Sequence, residues 1–263
     1  MNIVVCIKQV PDTADVRIDP ETNTLVREGV PSIINPFDEF AIEEGLQIRE
    51  QCGGTVTVLT MGPPQADDVL RTALAMGVDK VALLSDRAFA GSDTLATSYT
   101  LSKGIEKVGD VHLVIAGKQA IDGDTAQVGP GIAQRLGLTQ LTYVTKVDSV
   151  DDVAGTIIVD RLIDGGIEKV EAKLPAMMAV VKDINSPRKP SLLKKKKARN
   201  AEIPVWGADD IGADPNRIGQ KGSPTWVEKI FTPEQKSGGE IFEGDSDELA
   251  VKIADVILEM KNK

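Results

Sequence analysis

The sequence predicts an α/β protein with a mostly parallel sheet sandwiched by helices, and three observations indicate this class. Apolar runs rich in β-branched residues alternate with helix-period segments along the first 140 residues. Aromatic residues make up only 3% of the 263 residues. The core is therefore expected to consist of Val, Ile, Leu and Ala, as in parallel sheets covered by helices. Hydrophobic residues make up 41% of the chain, which is enough for a substantial core.

Four strands and four helices account for the alternation. The strands are predicted at residues 2–8, 55–61, 80–85 and 111–117. The helices are predicted to begin near Phe37, Gln65, Ser92 and Asp124. Because each strand is followed by a helix, the pattern specifies right-handed βαβ units.

After about residue 140 the pattern changes to alternating strands, with a Gly165-Gly166 turn between two of them. We expect an antiparallel extension that completes an α/β domain of residues 1–184. Residues 185–224 are rich in Pro, Gly and Lys and predict a long exposed loop and linker. The chain ends in an amphipathic helix with apolar positions at Leu249, Ile253, Val256, Ile257 and Met260. Its apolar face is expected to pack either on another chain or on its own domain.

The composition excludes several classes of function. A net charge of −10 argues against a nucleic-acid binder, which needs basic surface overall. No segment approaches the length of a membrane span, and the N-terminal apolar run is too short for a signal peptide. Cys6 and Cys52 are the only cysteines and His112 is the only histidine, so we expect no disulfide, no metal site and no triad catalysis. A cytoplasmic protein is the default expectation.

The loops after the four strands are the expected ligand site, because ligands bind beyond the carboxyl ends of a parallel sheet. The stretch 115–131, IAGKQAIDGDTAQVGPG, contains Gly117, Gly123, Gly129 and Gly131 with Thr125 and Gln127 between them. Backbone N–H groups ahead of a helix favour a phosphate. The stretch matches neither the G-x-G-x-x-G nor the G-x-x-x-x-G-K-[ST] pattern, so a glycine-rich turn is the alternative.

Five blocks in order carry a resemblance to a known family: VCIKQVPDT, NPFDEFAIEEG, RTALAMG, GKQAIDGDTAQVGP and IDGGIE followed by KLPA. Together they resemble the β subunit of electron-transfer flavoprotein over nearly the whole chain. The resemblance implies an adenine-nucleotide α-hydrolase-like fold, with an extended C-terminal arm at residues 201–263 whose final helix packs on a homologous α subunit that carries FAD. It also implies that the β subunit binds either AMP or a second FAD.

The resemblance assigns residues to that nucleotide. The loop around Ser92 is similar to the corresponding loop of the electron-bifurcating subgroup, whose β subunit holds a second FAD. Alternatively, Ser92, Asp93 or Thr94 could cap a helix. The implied cofactor-binding residues are Cys6, Gln9, Val10, Pro11, Asp12, Thr13, Asn35, Pro36, Phe37, Asp38, Met61, Gly91, Ser92, Asp93, Thr94, Thr97, Gly117, Lys118, Gln119, Ala120, Ile121, Asp122, Gly123, Asp124, Thr125, Ala126, Gln127 and Val128.

The basic stretch at residues 185–200 corresponds to the family's recognition loop for an acyl-CoA dehydrogenase. Leu192 is the implied anchor, with an apolar neighbour and a run of lysines; the implied partner-binding residues are Leu192, Leu193, Lys194, Lys195, Lys196 and Lys197. A solvated loop or a weak nucleic-acid contact is the alternative.

Three hypotheses of function follow. The first is an electron-bifurcating subunit whose FAD takes a hydride from NADH, only within the αβ complex, and sends electrons to an acyl-CoA dehydrogenase and to ferredoxin or flavodoxin. The second is a conventional subunit that holds AMP structurally while only the FAD of the α subunit is redox active. The third is an adenylating or ATP-hydrolysing enzyme, which KQVPDTADV disfavours because it lacks a glycine-rich loop.

Overall fold

A computed structural model describes residues 1–12, 17–18, 25–26, 32–228 and 241–261 of the chain. The chain forms two compact units, Met1–Lys229 and Ile230–Lys263, each described by itself. The first unit contains strands β1 Asn2–Ile7, β2 Gln9–Pro11, β3 Arg17–Ile18, β4 Leu25–Val26, β5 Ser32–Ile34, β6 Thr55–Met61, β7 Lys80–Leu84, β8 Leu113–Gly117, β9 Thr139–Asp151, β10 Thr156–Ile163, β11 Gly166–Lys173, β12 Ala176–Val180 and β13 Val205–Trp206. Its α-helices are α1 Pro36–Cys52, α2 Asp67–Met76, α3 Thr94–Val108, α4 Val128–Leu136 and α5 Leu192–Arg199, and the second unit contains α6 Ser246–Lys261.

Within the described residues, nine strands form one sheet in the order β11-β10-β9-β12-β8-β1-β6-β7-β13. The segment from β12 to β7 is parallel, which confirms the predicted fold class. The chain runs outward from β1 through β6 to β7, and then crosses back to place β8 on the other side of β1. The sheet therefore has a topological switch point between β1 and β8.

Alternate residues of the central strands are buried in two separate hydrophobic cores, one on each face of the sheet. Ile3, Val5 and Ile7 of β1 face a layer that contains α1 and α2. Val4 and Cys6 face the opposite layer, which contains α3 and α4. This alternation follows from the two-residue period of a strand, and it explains why β1 is apolar throughout. At roughly 25 cal/mol per Å² of buried apolar surface, these two layers are the main source of stability.

The predicted antiparallel extension is present in β9, β10 and β11, which pair antiparallel around the Gly165-Gly166 turn. For residues 176–183, AMMAVVKD, which the sequence pattern assigns to the same antiparallel extension, the expectation was wrong. This segment forms β12, which lies between β8 and β9 and is parallel to both. All five residues of β12 are buried, so their apolar character belongs to a central strand covered on both faces.

The stretch predicted as a long loop at residues 185–224 contains regular elements. Residues Leu192–Arg199 form α5, because Ser191 caps the helix by accepting a hydrogen bond from Lys194 N–H at 3.2 Å, and Leu, Lys, Ala and Arg are good helix formers. Residues Val205–Trp206 form β13, which adds to β7 at the edge of the sheet. A strand of two residues carries no periodicity that a sequence pattern could detect.

In the second unit α6 is an amphipathic helix, as the sequence predicts, with Asp247 and Glu248 in its first turn. Several of its apolar side chains are exposed within the described residues, among them Ile253, Ile257 and Met260. Among the residues that the structure describes, no helix combines the length and the apolar character needed to span a membrane.

Candidate functional site

The candidate site is the edge of the sheet at the switch point between β1 and β8. Lys8 follows β1, Met61 ends β6 and Gly117 ends β8, so three neighbouring strands end side by side. The first residues of α1 and α4 lie at the same edge, since each helix follows a connection that leaves it. Ligands of open α/β sheets bind at this position, because the loops on the two sides of the switch point diverge and leave a crevice.

Asp38 joins the two strands of the switch point. Its carboxylate accepts hydrogen bonds from Lys8 N–H at 2.7 Å and from Gly117 N–H at 3.0 Å. Lys8 is the first residue after β1, and Gly117 is the last residue of β8. The side chain is buried, and burial raises the pKa of Asp38 to about 7, against hydrogen bonds that act in the lowering direction. The carboxyl group of Asp38 thus holds the crevice together and is itself covered.

Asn35 holds the loop that follows β8. Its amide Nδ2 donates to Gln119 O at 2.8 Å, and its Oδ1 accepts from Ile121 N–H at 3.1 Å. Its own backbone N–H donates to Lys8 O at 2.8 Å. The side chain is 1% exposed, so a residue from one side of the switch point determines the path of the loop on the other side.

The glycines of residues 117–131 are required for different structural reasons, except Gly123. A Cβ atom on Gly117 would lie 2.4 Å from Asp38 Oδ1, so a side chain there would break the crevice. A Cβ on Gly129 would meet Met177 Cε at 2.6 Å, and one on Gly131 would meet Ser98 Oγ at 2.7 Å. Gly129 and Gly131 therefore allow α4 to pack closely on β12 and α3, and Gly123 has open space around it.

Every residue of the loop from Gly117 to Val128 is at least partly exposed, and the loop has internal order. Gln119 Nε2 donates to Asp124 Oδ1 at 2.6 Å, and Asp124 N–H donates to Ala120 O at 2.9 Å. Asp124 and Ala126 have positive φ angles of 50° and 53°. Helix α4 begins at Val128 without a side-chain cap, and because residue 130 is proline, the N–H groups of Val128 and Gly129 are the ones in its first turn that can bind an anion.

The other expected residues of the β1 side are at or next to this edge. Cys6 is buried on the α3 and α4 side of β1, and burial, with Asp38 nearby, raises the pKa of its thiol to about 12. Gln9, Val10, Pro11 and Asp12 lie in or beside β2, where Gln9 Nε2 donates to Gln65 O at 3.3 Å. Met61 is partly buried against the same core as Cys6. Thr13 lies outside the described residues.

The start of α3 is held by a distant segment, residues 219–225. The Asp93 carboxylate accepts from Leu95 and Ala96 N–H, and also from the backbone N–H and hydroxyl of Thr225, the latter at 2.8 Å. Burial acts upward on the pKa of Asp93, but these hydrogen bonds hold it below its ordinary value. Ser92 Oγ donates to Phe89 O and accepts from Gly219 N–H. Asp93 and Ser92 are thus engaged within the protein, as the helix-cap alternative expects.

Thr94 and Thr97 differ from these two residues. Both are partly exposed in the first turn of α3, and their hydroxyl groups make no hydrogen bond to the described part of the chain. Gly91, with φ of 74°, adopts a conformation that favours glycine and lets Gln220 approach its Cα. The start of α3 therefore offers two hydroxyl groups that have no partner among the described residues, beside the segment 219–225.

Lys118 is the cation of the loop that has no carboxylate partner among the described residues. Its Nζ lies 5.7 Å from the ring centre of Phe37 and 5.1 Å from that of Tyr143. Lys8, by contrast, forms an ion pair with Asp122 at 2.6 Å. Among the described residues Lys118 therefore offers its positive charge to an anionic ligand at this edge, and Arg135, which donates to Leu95 O at 3.0 Å, places another cation at the start of α3.

The expected partner-binding residues lie together on α5, which packs on α2 rather than at the crevice. Leu192 and Leu193 begin the helix and are 86% and 79% exposed, and Lys194–Lys197 follow them. Arg188, ahead of α5, donates to Glu43 and Glu50 of α1. Arg71 of α2 donates through Nη1 to the carbonyl groups of Ala198, Arg199 and Ala201 at the other end of α5.

Three other features of the described residues lie outside the candidate site: the potential metal ligands, His112 and a cleft beside β13. No cluster of three or more His, Cys, Asp and Glu side chains that could hold a metal ion occurs among the described residues. His112 Nδ1 accepts from Asn2 N–H at 3.2 Å, which is a structural contact between strands. A cleft of about 510 Å³ beside β13 is lined by Lys80, Lys107 and Trp206 among others, and residues of the switch point do not line it.

Several residues that shape the site carry no local sequence signal. Ser223 accepts from Asp93 N–H at 2.8 Å, and Arg188 and Arg71 hold α5, yet all three contacts join residues far apart in the chain. Tyr143 approaches the crevice through a positive φ angle, for which the sequence offers no glycine or asparagine as a hint. Such pairings arise only from the folded chain.

Comparisons with known proteins agree with this architecture. The profile of the electron transfer flavoprotein domain matches residues 22–211. The chain is 51% identical to the electron transfer flavoprotein subunit beta of Clostridium acetobutylicum over 259 residues, which are 98% of each chain. It is 50% identical to protein FixA of Azorhizobium caulinodans over 90% of this chain and 86% of FixA. It is 51% identical to the caffeyl-CoA reductase-Etf complex subunit CarD of Acetobacterium woodii over 93% of this chain and 92% of CarD.

Proposed function

The chain belongs to the electron transfer flavoprotein family, and from this premise we propose that it is the β subunit of an αβ heterodimer that binds FAD at its switch point. Bound there, FAD would supply hydride acceptance from NADH and the transfer of single electrons by two routes. One route leads through the FAD of the α subunit to an acyl-CoA dehydrogenase. The other leads to ferredoxin or flavodoxin.

The observation that carries this proposal is the start of α3. AMP needs only the adenosine and phosphate part of the crevice, along the loop 117–128 and the start of α4. A dinucleotide extends further, and at the start of α3 Thr94 and Thr97 offer two hydroxyl groups without partners in the described chain. Helices α3 and α4 pack together directly, and Arg135 in the last turn of α4 donates to Leu95 O in the first turn of α3 at 3.0 Å.

The residues present fit such a ligand by their chemistry. The N–H groups at the start of α4 suit a phosphate, while Asn35 and Asp38 keep the loop 117–128 in place. Thr94 and Thr97 suit the second phosphate or the ribityl hydroxyl groups. Lys118 adds a positive charge, and the tight approach at Gly117 leaves no room for a side chain in the crevice. The isoalloxazine ring supplies the redox chemistry, and the protein binds and orients it.

The partners are supported by different observations. Leu192 and Leu193 are exposed apolar residues beside a run of lysines, as expected of a small docking surface with electrostatic steering. The exposed apolar side of α6 fits a packing contact with the α subunit. One relative, CarD, is by its name a subunit of a complex between caffeyl-CoA reductase and Etf, which is consistent with docking to a dehydrogenase.

The second candidate is a subunit that holds AMP as a structural ligand. The engagement of Ser92 and Asp93 within the protein favours it, because these residues then only cap α3 and hold residues 219–225. The two candidates differ in composition. The first requires two flavins in each heterodimer, and the second requires one flavin and one AMP.

The experiment is a count of bound nucleotides in the co-expressed heterodimer, from flavin absorbance and an AMP assay in parallel. We expect two flavins and no AMP. In the double variant Thr94→Val with Thr97→Val we expect one flavin, since losing a hydrogen bond to a phosphate costs roughly 1.5–3 kcal/mol, or about ten- to a hundredfold in affinity. The same variant is expected to lose NADH-dependent reduction of ferredoxin.

Thr100→Val is the matched control, because Thr100 lies in the same helix with its hydroxyl donating to Ala96 O inside the core. It is expected to keep both flavins. One flavin with one AMP in the unaltered protein would reject the bifurcating function. Two flavins in the double variant would show that Thr94 and Thr97 do not bind the ligand.

A further inference from the structure

The backbone of Tyr143 is strained. Its φ angle is 56°, in the middle of β9, where residues with a Cβ atom are normally extended. A bulky aromatic residue adopts this conformation only where the surrounding structure holds it there, and such positions occur often at binding sites.

A β-bulge with a specific support produces this conformation. Met178 of β12 pairs with Leu141, whereas Val180 pairs with Val144, so β9 contains one residue more than β12 over this stretch. Arg161 of β10 donates through Nε to Thr142 O at 2.7 Å and through Nη2 to Thr142 Oγ1 at 2.8 Å. The guanidinium group therefore binds the residue next to Tyr143 and stabilises the bulge.

The bulge brings the Tyr143 ring to Lys118. Lys118 Nζ lies 5.1 Å from the Tyr143 ring centre and 5.7 Å from the Phe37 ring centre, both within the range of a cation–π interaction. The Tyr143 side chain stays 40% exposed. The strain therefore places an open ring face beside an ammonium group that no carboxylate of the described chain neutralises.

These three side chains adjoin the crevice of the switch point. Val144, Val180 and Gly117 pair across three neighbouring strands, β9, β12 and β8. Lys118 N–H donates to Val180 O at 2.7 Å, which sets the start of the loop 117–128 against β12. Phe37 is in the first turn of α1, next to Asp38. The group thus extends the candidate site toward β9, on the side away from β6.

We propose that Tyr143, Lys118 and Phe37 form a ring platform, a binding surface for a planar anionic aromatic ring. The ring would lie against the exposed face of Tyr143, and the ammonium of Lys118 would donate to its negative edge. Within the proposed function, on which this identification rests, the ring is that of reduced flavin. It comes either from the FAD bound by this chain or from the FAD of the α subunit.

The expected effect is on the redox potential, because a nearby cation stabilises the anionic reduced form. Lys118→Met removes this charge while keeping an unbranched side chain. We expect at least about a tenfold loss of preference for the reduced form of one flavin, which lowers a one-electron potential by about 59 mV. The measurement is a dithionite titration of the co-expressed heterodimer, followed by flavin absorbance.

Tyr143→Gly separates binding from structure. Glycine tolerates a positive φ, so we expect an unchanged or higher thermal midpoint together with the same direction of potential shift as in Lys118→Met. Tyr143→Phe keeps the ring and is expected to keep the potential. Lys173→Met, which removes an exposed lysine of β11, is the charge control and is expected to leave both potentials unchanged.

Three outcomes would overturn the ring platform: unchanged potentials in Lys118→Met and Tyr143→Gly, an equal shift in Lys173→Met, or a marked loss of thermal stability in Tyr143→Gly. The identity of the shifted flavin distinguishes the two sources of the ring. If the heterodimer contains a single flavin, the proposed FAD site fails, but a shift of that flavin still supports the platform.

Discussion

Asp38 shows how one residue connects the stability of the sheet with the ligand site. Its carboxylate receives N–H groups from both sides of the switch point, so strands β1 and β8 are held at their carboxyl ends by a buried acid. Without Asp38 these N–H groups would lose their acceptor, which is costly in a buried position. Its pKa of about 7 makes this contact sensitive to pH in the neutral range.

The pH dependence of unfolding tests this arrangement. The pKa of Asp38 rises from 3.8 to about 7 on folding, so between these values the folded state binds more protons than the unfolded state. The contribution of Asp38 to the free energy of unfolding is therefore largest below about pH 4, and it is lost as the pH rises through about 7. We expect this fall to be absent in Asp38→Asn, measured by urea unfolding of the heterodimer at pH 5 and pH 8.

Asp93→Asn is the control for this experiment. The pKa of Asp93 is lowered on folding, so Asp93 stabilises the folded state at every pH above its ordinary pKa of 3.8. This stabilisation is lost only as the pH falls through the lower pKa of the folded state. The variant is expected to keep the fall between pH 5 and pH 8 that the unaltered protein shows. A fall of the same size in Asp38→Asn would show that another group titrates there.

At the scale of one element, α5 is a short helix held at both ends and open in the middle. Arg188 holds the chain ahead of it by pairing with Glu43 and Glu50 of α1, and Arg71 of α2 donates to carbonyl groups at the C-terminal end of α5. This fixation reduces the conformational entropy that binding a partner would cost. Leu192 and Leu193 are therefore presented in one orientation.

Leu192→Ala tests the docking surface. Because Leu192 is 86% exposed, its loss is expected to change the free energy of unfolding by less than about 0.5 kcal/mol. A central apolar anchor is worth about 2 kcal/mol or more, so electron transfer to the dehydrogenase should require about thirtyfold more partner. NADH-driven flavin reduction should remain intact. The measurements are the dehydrogenase concentration at half-maximal rate and the flavin reduction rate.

Val153→Ala is the matched control, since Val153 is an equally exposed apolar residue, at 95%, in the turn between β9 and β10. Val153→Ala is expected to change neither the dehydrogenase concentration at half-maximal rate nor the rate of flavin reduction. Raising the salt concentration should slow association through the lysines of α5 before it changes flavin reduction. A parallel loss of both activities in Leu192→Ala would mean that α5 supports folding or flavin binding.

At the scale of the whole molecule, two compact units divide the tasks. The first unit contains the sheet and the candidate site. The second contains α6, whose exposed apolar residues lack a covering surface within the described part of that unit. An amphipathic helix of this kind is stable when its apolar side packs on a partner. The chain is therefore expected to need its α subunit.

Removal of the C-terminal arm tests this dependence. Deletion from Gly239, a position outside the described residues, should reduce the heterodimer yield more than the secondary structure of the remaining chain. The double variant Ile253→Ser with Ile257→Ser should act in the same direction, because both side chains belong to the exposed apolar set of α6. Co-purification with a tagged α subunit measures the yield, and circular dichroism measures the structure.

Lys252→Ser is the control in the same helix, since it changes a charged residue and leaves the apolar set intact. It is expected to assemble normally. Normal assembly of the truncated chain would mean that α6 serves its own chain or is dispensable.

The sequence by itself determined the fold class, the strands β1, β6, β7 and β8 and the helices α1 to α4, because these depend on local periodicity and caps. It also determined the amphipathic character of the last helix and the family, which the comparisons confirm. The expected ligand loops did fall at the carboxyl edge of the sheet, since the βαβ rule alone places them there.

Only the tertiary structure decided the position of β12 between β8 and β9, the pairing of β13, and the fixation of α5 by Arg71 and Arg188. It also decided that Asp93 binds Thr225 and that Tyr143 turns toward Lys118. Each of these contacts joins residues distant in the chain. Their formation depends on which surfaces the folded sheet brings together, and local sequence patterns carry no record of that.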